Sequence, residues 1–218
     1  KGKDCLGWDQ IMTLPRQLTL SKYGDLRIKP AGDVLSLRDE HMHFGSHRLQ
    51  HNEEINFSNV STNCCEALFK ILINDAKRIS IDVLCSPDRQ EFTRITFYVN
   101  GGFNDRFRSV VGAATDANHL QPTSNDSVVT IDSSNSSILS DVSIRPPESA
   151  SIRLLSDEIL DVRVFIDRSV VEVFIDDQQC LAVRVYPSLV ASTGMSVIGL
   201  GGTAELVSLD IWEMRSIY

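Results

Sequence analysis

The sequence contains no apolar run near the roughly 18 residues that a membrane-spanning helix requires, so we expect no membrane association. Basic residues are also scarce: 21 lysines and arginines stand against 29 aspartates and glutamates, a formal net charge of −8. Because binding to phosphates needs a basic surface, we expect no nucleic-acid partner. The 218 residues, 42% of them hydrophobic, suffice for one large domain with a sizeable core or two small domains.

Cysteines are few, odd in number and irregularly spaced: Cys5, Cys64, Cys65, Cys85 and Cys180. This pattern does not indicate a disulfide framework, and no Cys-x-x-Cys pair indicates zinc, so we expect buried free thiols. His41 and His43 have the spacing that places alternate residues on one face of a strand. A metal site and ordinary surface histidines both remain open there, although no Cys or Glu cluster completes a ligand set. We therefore assign no metal and no cofactor.

Helical periodicity is almost absent, and only residues 31–38, after Pro30, suggest a turn or two of helix. Elsewhere short runs of alternating apolar and polar residues lie between polar turns, which is typical of an all-β sandwich or barrel. Residues 11–14, 17–20 and 26–29 are expected to be opening strands. Residues 100–126 have the composition of a long loop, in which only residues 107–111 suggest a strand.

Residues 160–188 carry the clearest pattern, three predicted strands joined by two tight turns at 167–169 and 176–178. On each strand valine, isoleucine or leucine occupies every second position, so one face is apolar and the other mixed. Aspartate suits both turns because its side chain can bond to nearby backbone. Glu172 and Asp167 flank the first turn and could form an acid pair, but an outward strand carboxylate and a turn former explain them equally simply.

Several segments, taken in order, carry a family resemblance. They are GW at 7–8 followed by LPRQLTL at 14–20, YGDLRIKP at 23–30, VTID at 129–132, LDVRVFIDRSVVEVF at 160–174, RVYP at 184–187 and LDIWEMRSIY at 209–218. Together they resemble the C-terminal β-sandwich of glycoside hydrolase family 32, the invertase, levanase and inulinase group. The resemblance covers nearly the whole chain, and residues 100–126 depart from it.

The resemblance implies a two-sheet antiparallel β-sandwich, a concanavalin- or galectin-like jelly roll, over residues 31–218. It also implies that residues 1–30 are opening strands that lead from an N-terminal five-bladed β-propeller, the catalytic domain of the same protein. The chain opens at Lys1 without an initiator methionine, which suggests a processed product or an excised domain. The resemblance favours an extracellular enzyme.

Family members are retaining glycosidases that act on β-fructofuranosides such as sucrose, levan or inulin. A retaining mechanism needs a nucleophilic carboxylate and an acid roughly 5 Å apart. In the family these lie in the propeller, in motifs such as W-x-N-D-P-N-G, R-D-P and E-C, and none of these motifs occurs here. The resemblance therefore gives this chain no catalytic residue, and we expect it to be inactive alone.

Two functions from different classes remain open. In the first, the chain stabilises the propeller of a fructosidase. Whether it also contributes to substrate binding or oligomerisation stays open at this point. In the second, it is a free-standing carbohydrate-binding or interaction module of lectin-like fold, which would need a concave surface with an exposed aromatic ring. Trp8, Tyr186 and Trp212 are the candidate sugar or interdomain contacts. Packing in the core is the alternative for such aromatic residues.

Overall fold

The computed structural model describes residues 11–57, 59–102, 126–154 and 157–216. The strands in these ranges are β1 (Arg16–Leu20), β2 (Leu26–Pro30), β3 (Arg38–Phe44), β4 (His47–Leu49), β5 (Glu54–Phe57), β6 (Cys64–Leu72), β7 (Arg78–Cys85), β8 (Thr93–Tyr98), β9 (Asp126–Asp132), β10 (Glu148–Arg153), β11 (Ile159–Asp167), β12 (Val170–Ile175), β13 (Gln179–Arg184), β14 (Gly194–Leu200) and β15 (Ala204–Met214). Two short 3-10 helices span Val34–Leu37 and Val99–Gly102. No helix in the described ranges has the length and apolar character needed to cross a membrane.

Two antiparallel sheets form a sandwich, as predicted. One has six strands in the order β10-β9-β8-β7-β14-β5, and the other has β13-β12-β11-β6-β15-β3, with β4 also paired to β15. β1 and β2 form a separate two-stranded sheet, which we call the N-terminal ribbon. The predicted helical turn is present as the first 3-10 helix, and Asp33 caps it by accepting a hydrogen bond from the Ser36 backbone N–H.

The main core lies between the inner faces of the two sheets. Alternate residues of β6 and β11 supply one layer, and alternate residues of β7 and β8 supply the other. Fully buried members include Phe69, Val162, Val164, Ile81 and Phe97. The alternation read from the sequence of residues 160–188 therefore identifies the core-facing side correctly.

Both predicted turns of that segment are present and take left-handed backbone angles. Arg168 has φ 53°, and Asp176 and Asp177 have φ 47° and 55°. Two successive positive φ angles, closed by the Gln178 N–H to Ile175 oxygen bond of 2.7 Å, make the second turn type I′. This turn type matches the twist of the strands that it joins.

Two sequence expectations differ from the structure or lie outside it. Residues 11–14 form no strand, because the Leu14 N–H bonds to the Glu172 carboxylate at 2.8 Å rather than to a neighbouring strand. The candidate strand at 107–111 lies outside the described residues, as does most of the predicted loop.

Four of the five cysteines lie within the described ranges and are free thiols; Cys65 and Cys85 are buried, as expected, whereas Cys64 and Cys180 are only partly buried. Cys65 points into the core while Cys64, its neighbour on β6, lies on the other face. Burial raises the pKa of Cys65 and of Cys85 to about 12, so these thiols are inert small hydrophobic groups at neutral pH.

The two turns that cross between the sheets are packed against each other. One joins β6 to β7 and contains Asp75, and the other joins β14 to β15 and contains Gly202 and Thr203. Thr203 donates to Asp75 Oδ1 from both its backbone N–H and its hydroxyl, each at 2.7 Å. These bonds hold the two sheets together at one end of the sandwich.

Gly202 should be intolerant of a side chain. A Cβ atom there would lie 2.3 Å from the Asp75 carbonyl oxygen and 2.5 Å from its carbon. We expect Gly202→Ala to lower the free energy of unfolding by about 2 kcal/mol, measured by urea denaturation, because one of the crossing turns must shift. Gly45→Ala is the matched control, since nothing lies within 4 Å of its Cβ position. An equal decrease in the free energy of unfolding in Gly202→Ala and Gly45→Ala would contradict the expectation.

Candidate functional site on the outer face of the seven-stranded sheet

The outer face of the seven-stranded sheet, turned away from the core, carries an unusual number of charged and aromatic side chains. Strand register aligns them in two rows running from β13 to β3. The first row is Ala182, Glu172, Phe165, Glu66, Trp212 and His41. The second row is Cys180, Phe174, Arg163, Leu68, Asp210 and His43.

The N-terminal segment covers the half of this face nearest β13. Phe165 and Phe174 pack edge to face, with ring centroids 5.9 Å apart, and Val34 joins them to form a second buried apolar cluster. Leu14 and Ile28 pack against this cluster. The apolar outer face of the central hairpin is thus removed from water by residues that precede the sandwich in the sequence.

Glu66 lies at the centre of the face and is fully buried between two arginines. Arg38 donates two parallel hydrogen bonds to the carboxylate, from Nε to Oε2 at 2.9 Å and from Nη2 to Oε1 at 2.7 Å. Arg163 Nε also donates to Oε1. Burial alone would raise the pKa of Glu66, but the hydrogen bonds and charges of the two guanidinium groups lower it overall. Glu66 is therefore an ionised cross-link between β3, β6 and β11 rather than an available acid.

Glu172 is also buried, although the sequence suggested an outward strand carboxylate. It does point away from the main core, but the N-terminal segment lies over it: the Leu14 N–H donates to it, and Arg16 Nη2 lies 3.7 Å from its Oε2 atom. Burial raises the pKa of Glu172, and the contacts with Leu14 and Arg16 only partly oppose that shift. Its partner in the suggested acid pair, Asp167, is exposed at the end of β11.

Glu66 and Glu172 do not form a glycosidase pair. They are separated by β11, with Phe165 between them in the register, which places their strands about 10 Å apart. A retaining pair requires about 5 Å. Glu66 is also bound by two arginines, and Glu172 accepts a bond from the Leu14 backbone, so these two carboxylates do not act as a free acid and nucleophile.

The aromatic candidates from the sequence do not form one platform. Trp212 is half-buried, with the Arg38 guanidinium 3.6 Å from the ring centroid and the His41 ring stacked on it at 4.8 Å. Tyr186 is 40% exposed and follows β13, four strand positions away from β15, or about 19 Å. Trp8 lies outside the described residues. The contact of these residues with a sugar or another module stays a prediction.

His41 and His43 lie on one face of β3, as their spacing predicted. His41 Nε2 and His43 Nδ1 both bond to Asp210 Oδ1, at 2.9 Å and 2.7 Å. Burial acts to raise the pKa of Asp210, but the two imidazoles outweigh it and lower the pKa. Across the part of the chain that the structure describes, no three His, Cys, Asp or Glu residues are grouped to hold a metal ion.

A third buried carboxylate, Glu91, fixes two loops at the opposite sheet. Its oxygens accept hydrogen bonds from the backbone of Ile138, Ser188 and Leu189, at 2.9 to 3.1 Å, and from the hydroxyls of Ser188 and Ser192, both at 2.6 Å. Burial opposes its ionisation, but these donors lower the pKa of Glu91 to about 2. Glu91 is a structural anion that holds the loops around residues 138 and 188–192.

The sequence analysis missed the buried carboxylates Glu66 and Glu91. For Glu66 a signal existed: it is a charged residue inside the apolar run of β6, which usually indicates a buried partner of opposite charge. Its partners Arg38 and Arg163 lie 28 and 97 residues away, so no spacing rule could have named them. For Glu91, whose partners lie up to 98 residues away, the sequence held no comparable signal.

Residues 33–213 match the family model described as "Glycosyl hydrolases family 32 C terminal". The chain belongs to this family. The match covers both sheets of the sandwich, including the Glu66 cross-link and the two arginines that bind it.

Solved structures of family 32 fructosidases have the same fold. Fructan 1-exohydrolase IIa from Cichorium intybus matches with a TM-score of 0.72 and 16% identity, over 94% of this chain and 41% of its own. Exo-inulinase from Aspergillus awamori matches with a TM-score of 0.67 and 18% identity, over 100% of this chain and 38% of its own. β-Fructofuranosidase from Schwanniomyces occidentalis, complexed with fructosyl-erythritol, matches with a TM-score of 0.61 and 12% identity, over 94% of this chain and 40% of its own.

The chain thus spans about two fifths of the length of these enzymes, and at such identities the likeness shows the fold alone. No curated protein sequence matches the chain. The family of the module and its β-sandwich fold, both expected from the sequence, are confirmed.

Glu91 should make the stability of the sandwich depend on acidity. Its pKa is about 2 in the folded chain against 4.5 for a free glutamate, so its contribution is complete above pH 4.5 and is lost as the pH falls towards 2. At about 1.4 kcal/mol per unit, the contribution is about 3 kcal/mol. We expect Glu91→Gln to lower the free energy of unfolding by that order at pH 7, and by much less at pH 3.

Urea denaturation at pH 7 and pH 3 measures this difference, and subtracting the variant from the wild type removes the effect of other carboxylates. Glu40→Gln is the control, because Glu40 is exposed on β3. If Glu91→Gln costs the same at both pH values, the ionised form of Glu91 is not the source of the stability.

Proposed function

We propose that the chain is the non-catalytic C-terminal sandwich of a retaining glycosidase that hydrolyses β-fructofuranosides such as sucrose, levan or inulin. In this role it stabilises a five-bladed β-propeller that carries the catalytic carboxylates. The family match supports the proposal, as do structural neighbours that are a fructan exohydrolase and an exo-inulinase. The catalytic motifs of the family do not occur in this sequence, and Glu66 and Glu172 lie too far apart to act as a retaining pair.

The observation that carries the proposal is the exposed apolar face of the N-terminal ribbon. Leu20 lies opposite Leu26 and Leu18 opposite Ile28, so these four side chains share one face. Only Ile28 is packed against the sandwich, while Leu20 is 72% exposed and Leu18 61% exposed. A two-stranded ribbon is at best marginally stable in water, so one with its leucines exposed needs a covering partner.

The catalytic module of the same protein is the occupant that fits this face. The ribbon is the first structured element of the described chain, and it directly precedes the region matched by the family model. In the neighbouring structures about three fifths of each chain lies outside the match, which leaves ample protein to cover the ribbon. An apolar patch fixed to the sandwich through Ile28 would join the two modules firmly.

The sandwich anchors the ribbon by polar contacts as well. The Ile28 N–H donates to the Asp177 carbonyl at 2.7 Å, and Lys29 Nζ lies 3.0 Å from the Asp177 carboxylate. Arg27 Nη1 donates to the Asp176 carbonyl at 3.2 Å. The type I′ turn between β12 and β13 therefore sets the position of the proposed docking face.

The second candidate function, a free-standing carbohydrate-binding module, has one observation in its favour. A polar cleft with an exposed tyrosine lies beside the ribbon. A module can bind a saccharide and support a catalytic domain together, so this observation does not oppose the first proposal.

The isolated chain should not hydrolyse fructosides. Incubated with sucrose, inulin or levan, it should release no more fructose than a buffer blank, because the family's catalytic motifs do not occur in its sequence. The exo-inulinase from Aspergillus awamori, incubated with inulin, provides the positive control. Turnover by a preparation free of any longer form of the protein would overturn the non-catalytic role.

Charges on the docking face should weaken the link between the modules. We expect Leu18→Asp and Leu20→Asp, tested in the protein that contains both modules, to lower its thermal midpoint by several degrees, because burying an unpaired carboxylate is costly. Val190→Asp is the control, since Val190 is 99% exposed and distant in sequence from the ribbon. Calorimetry in which all three variants match the wild type would mean that the ribbon is not the interface.

A further inference from the structure

A cleft of about 800 Å³ lies at the end of the sandwich where the N-terminal ribbon meets the two sheets. Its wall is formed by five separate segments: the turn before β2 with the start of β2, Ile73 after β6, the end of β10, the start of β11 and the turn between β12 and β13. Its size falls within the range of roughly 300 to 1,000 Å³ that is usual for small-molecule sites. It is separate from the charged rows on the outer face of the seven-stranded sheet.

The lining offers both hydrogen-bond donors and acceptors. Its polar members are Tyr23, Asp25, Arg27, Ser151, Arg153, Glu158, Asp176, Gln178 and Gln179. Each glutamine presents an amide that can donate and accept at once, which suits sugar hydroxyls, themselves both donors and acceptors. The three carboxylates and two guanidinium groups nearly cancel in charge, so the cleft favours a neutral ligand over a phosphate or a cation.

An aromatic ring stands at the rim. Tyr23 is 79% exposed, with the Lys22 ammonium 4.8 Å from its ring centroid. Such an exposed ring offers a flat apolar surface for the C–H face of a sugar. Tyr23 has no role in the core, because the turn of residues 21–25 is held by Ser21 and Asp25 rather than by the ring.

Some polar groups of the cleft are held in place, and others are available. Asp176 accepts a 2.8 Å bond from the Asp161 N–H, and Gln179 Nε2 donates to the Ser151 carbonyl at 3.2 Å, bridging the two sheets. Burial raises the pKa of Asp176 to about 6, so it is an ionised acceptor at neutral pH. The Arg153 side chain is exposed and makes no hydrogen bond or ion pair with other residues that the structure describes.

We propose that this cleft is a binding site for a neutral oligosaccharide of two or three residues, with Tyr23 stacking on a sugar ring and Arg153, Asp176 and Gln178 bonding to its hydroxyls. The groups already bonded within the protein shape the cleft, while Arg153, Gln178 and the remaining acceptor positions of the Asp176 carboxylate contact the ligand. The inference rests on the second candidate function above and not on the structural role, which the Leu18 and Leu20 variants test separately.

Calorimetric titration of the 218-residue chain with 1-kestose at pH 7 tests the proposal. We expect a dissociation constant on the order of 1 mM, weakened about fivefold by Tyr23→Ala and by Arg153→Ala. Arg48→Ala is the matched control for Arg153→Ala, because it removes an exposed strand arginine that does not line the cleft. A thermal melt of each variant confirms that the sandwich remains folded.

Heat of binding that is reduced by both cleft variants and unchanged by Arg48→Ala supports the site. Maltotriose bound with the same dependence on Tyr23 and Arg153 also supports it, since the proposal concerns neutral oligosaccharides as a class. No heat at about 10 mM ligand overturns it. Binding that is indifferent to Tyr23 and Arg153 overturns it as well, as does preferential binding of inorganic phosphate in the cleft.

Discussion

The central strands of the seven-stranded sheet are buried on both faces, and the rest of the structure depends on how the outer face is covered. The inner face packs on the other sheet, as in any sandwich. The outer face would otherwise expose Phe165 and Phe174, so the N-terminal segment lies across it. That placement holds the ribbon against the sandwich and leaves Leu18 and Leu20 exposed to water. It also forms the cleft at the end of the sandwich. The packing demand of two phenylalanines thus sets the position of the ribbon, on which the proposed docking face lies.

Buried carboxylates organise the parts of the fold that hydrophobic packing leaves undefined. Glu66 joins three strands through Arg38 and Arg163, and Asp82 is bound by Arg94 and Arg89 in a similar way on the other sheet. Burying such charges carries a large desolvation cost, which is repaid only when the partners are well placed. Each cluster therefore accepts few alternative arrangements. Glu66 and Glu91 resemble catalytic groups in their isolation from water, but their hydrogen-bond partners lower the pKa of each carboxyl and occupy its oxygens.

Much of the fold could be predicted from the sequence, because strand alternation and turn chemistry are local. Residues 160–188 gave correct strands, faces and turns for this reason. The site could not be predicted in the same way. The cleft around Tyr23 and Asp176 is assembled from segments about 150 residues apart, and the burial of Glu172 depends on Leu14, 158 residues away. Such contacts follow from strand order and register, which alternation alone does not specify. The absence of a strand at residues 11–14 has the same origin, since a distant carboxylate takes the backbone N–H of Leu14.

The N-terminal ribbon also has a consequence for the life of the protein in a cell. Within the described residues β1 pairs only with β2, so its other edge carries unpaired backbone N–H and C=O groups next to exposed leucines. Such an edge is a template for pairing with further chains. In the proposed two-module protein, proteolytic separation of the modules would expose this edge to solvent. The strand proposed to join the modules would then favour aggregation of the cleaved fragment, or its recognition by chaperones.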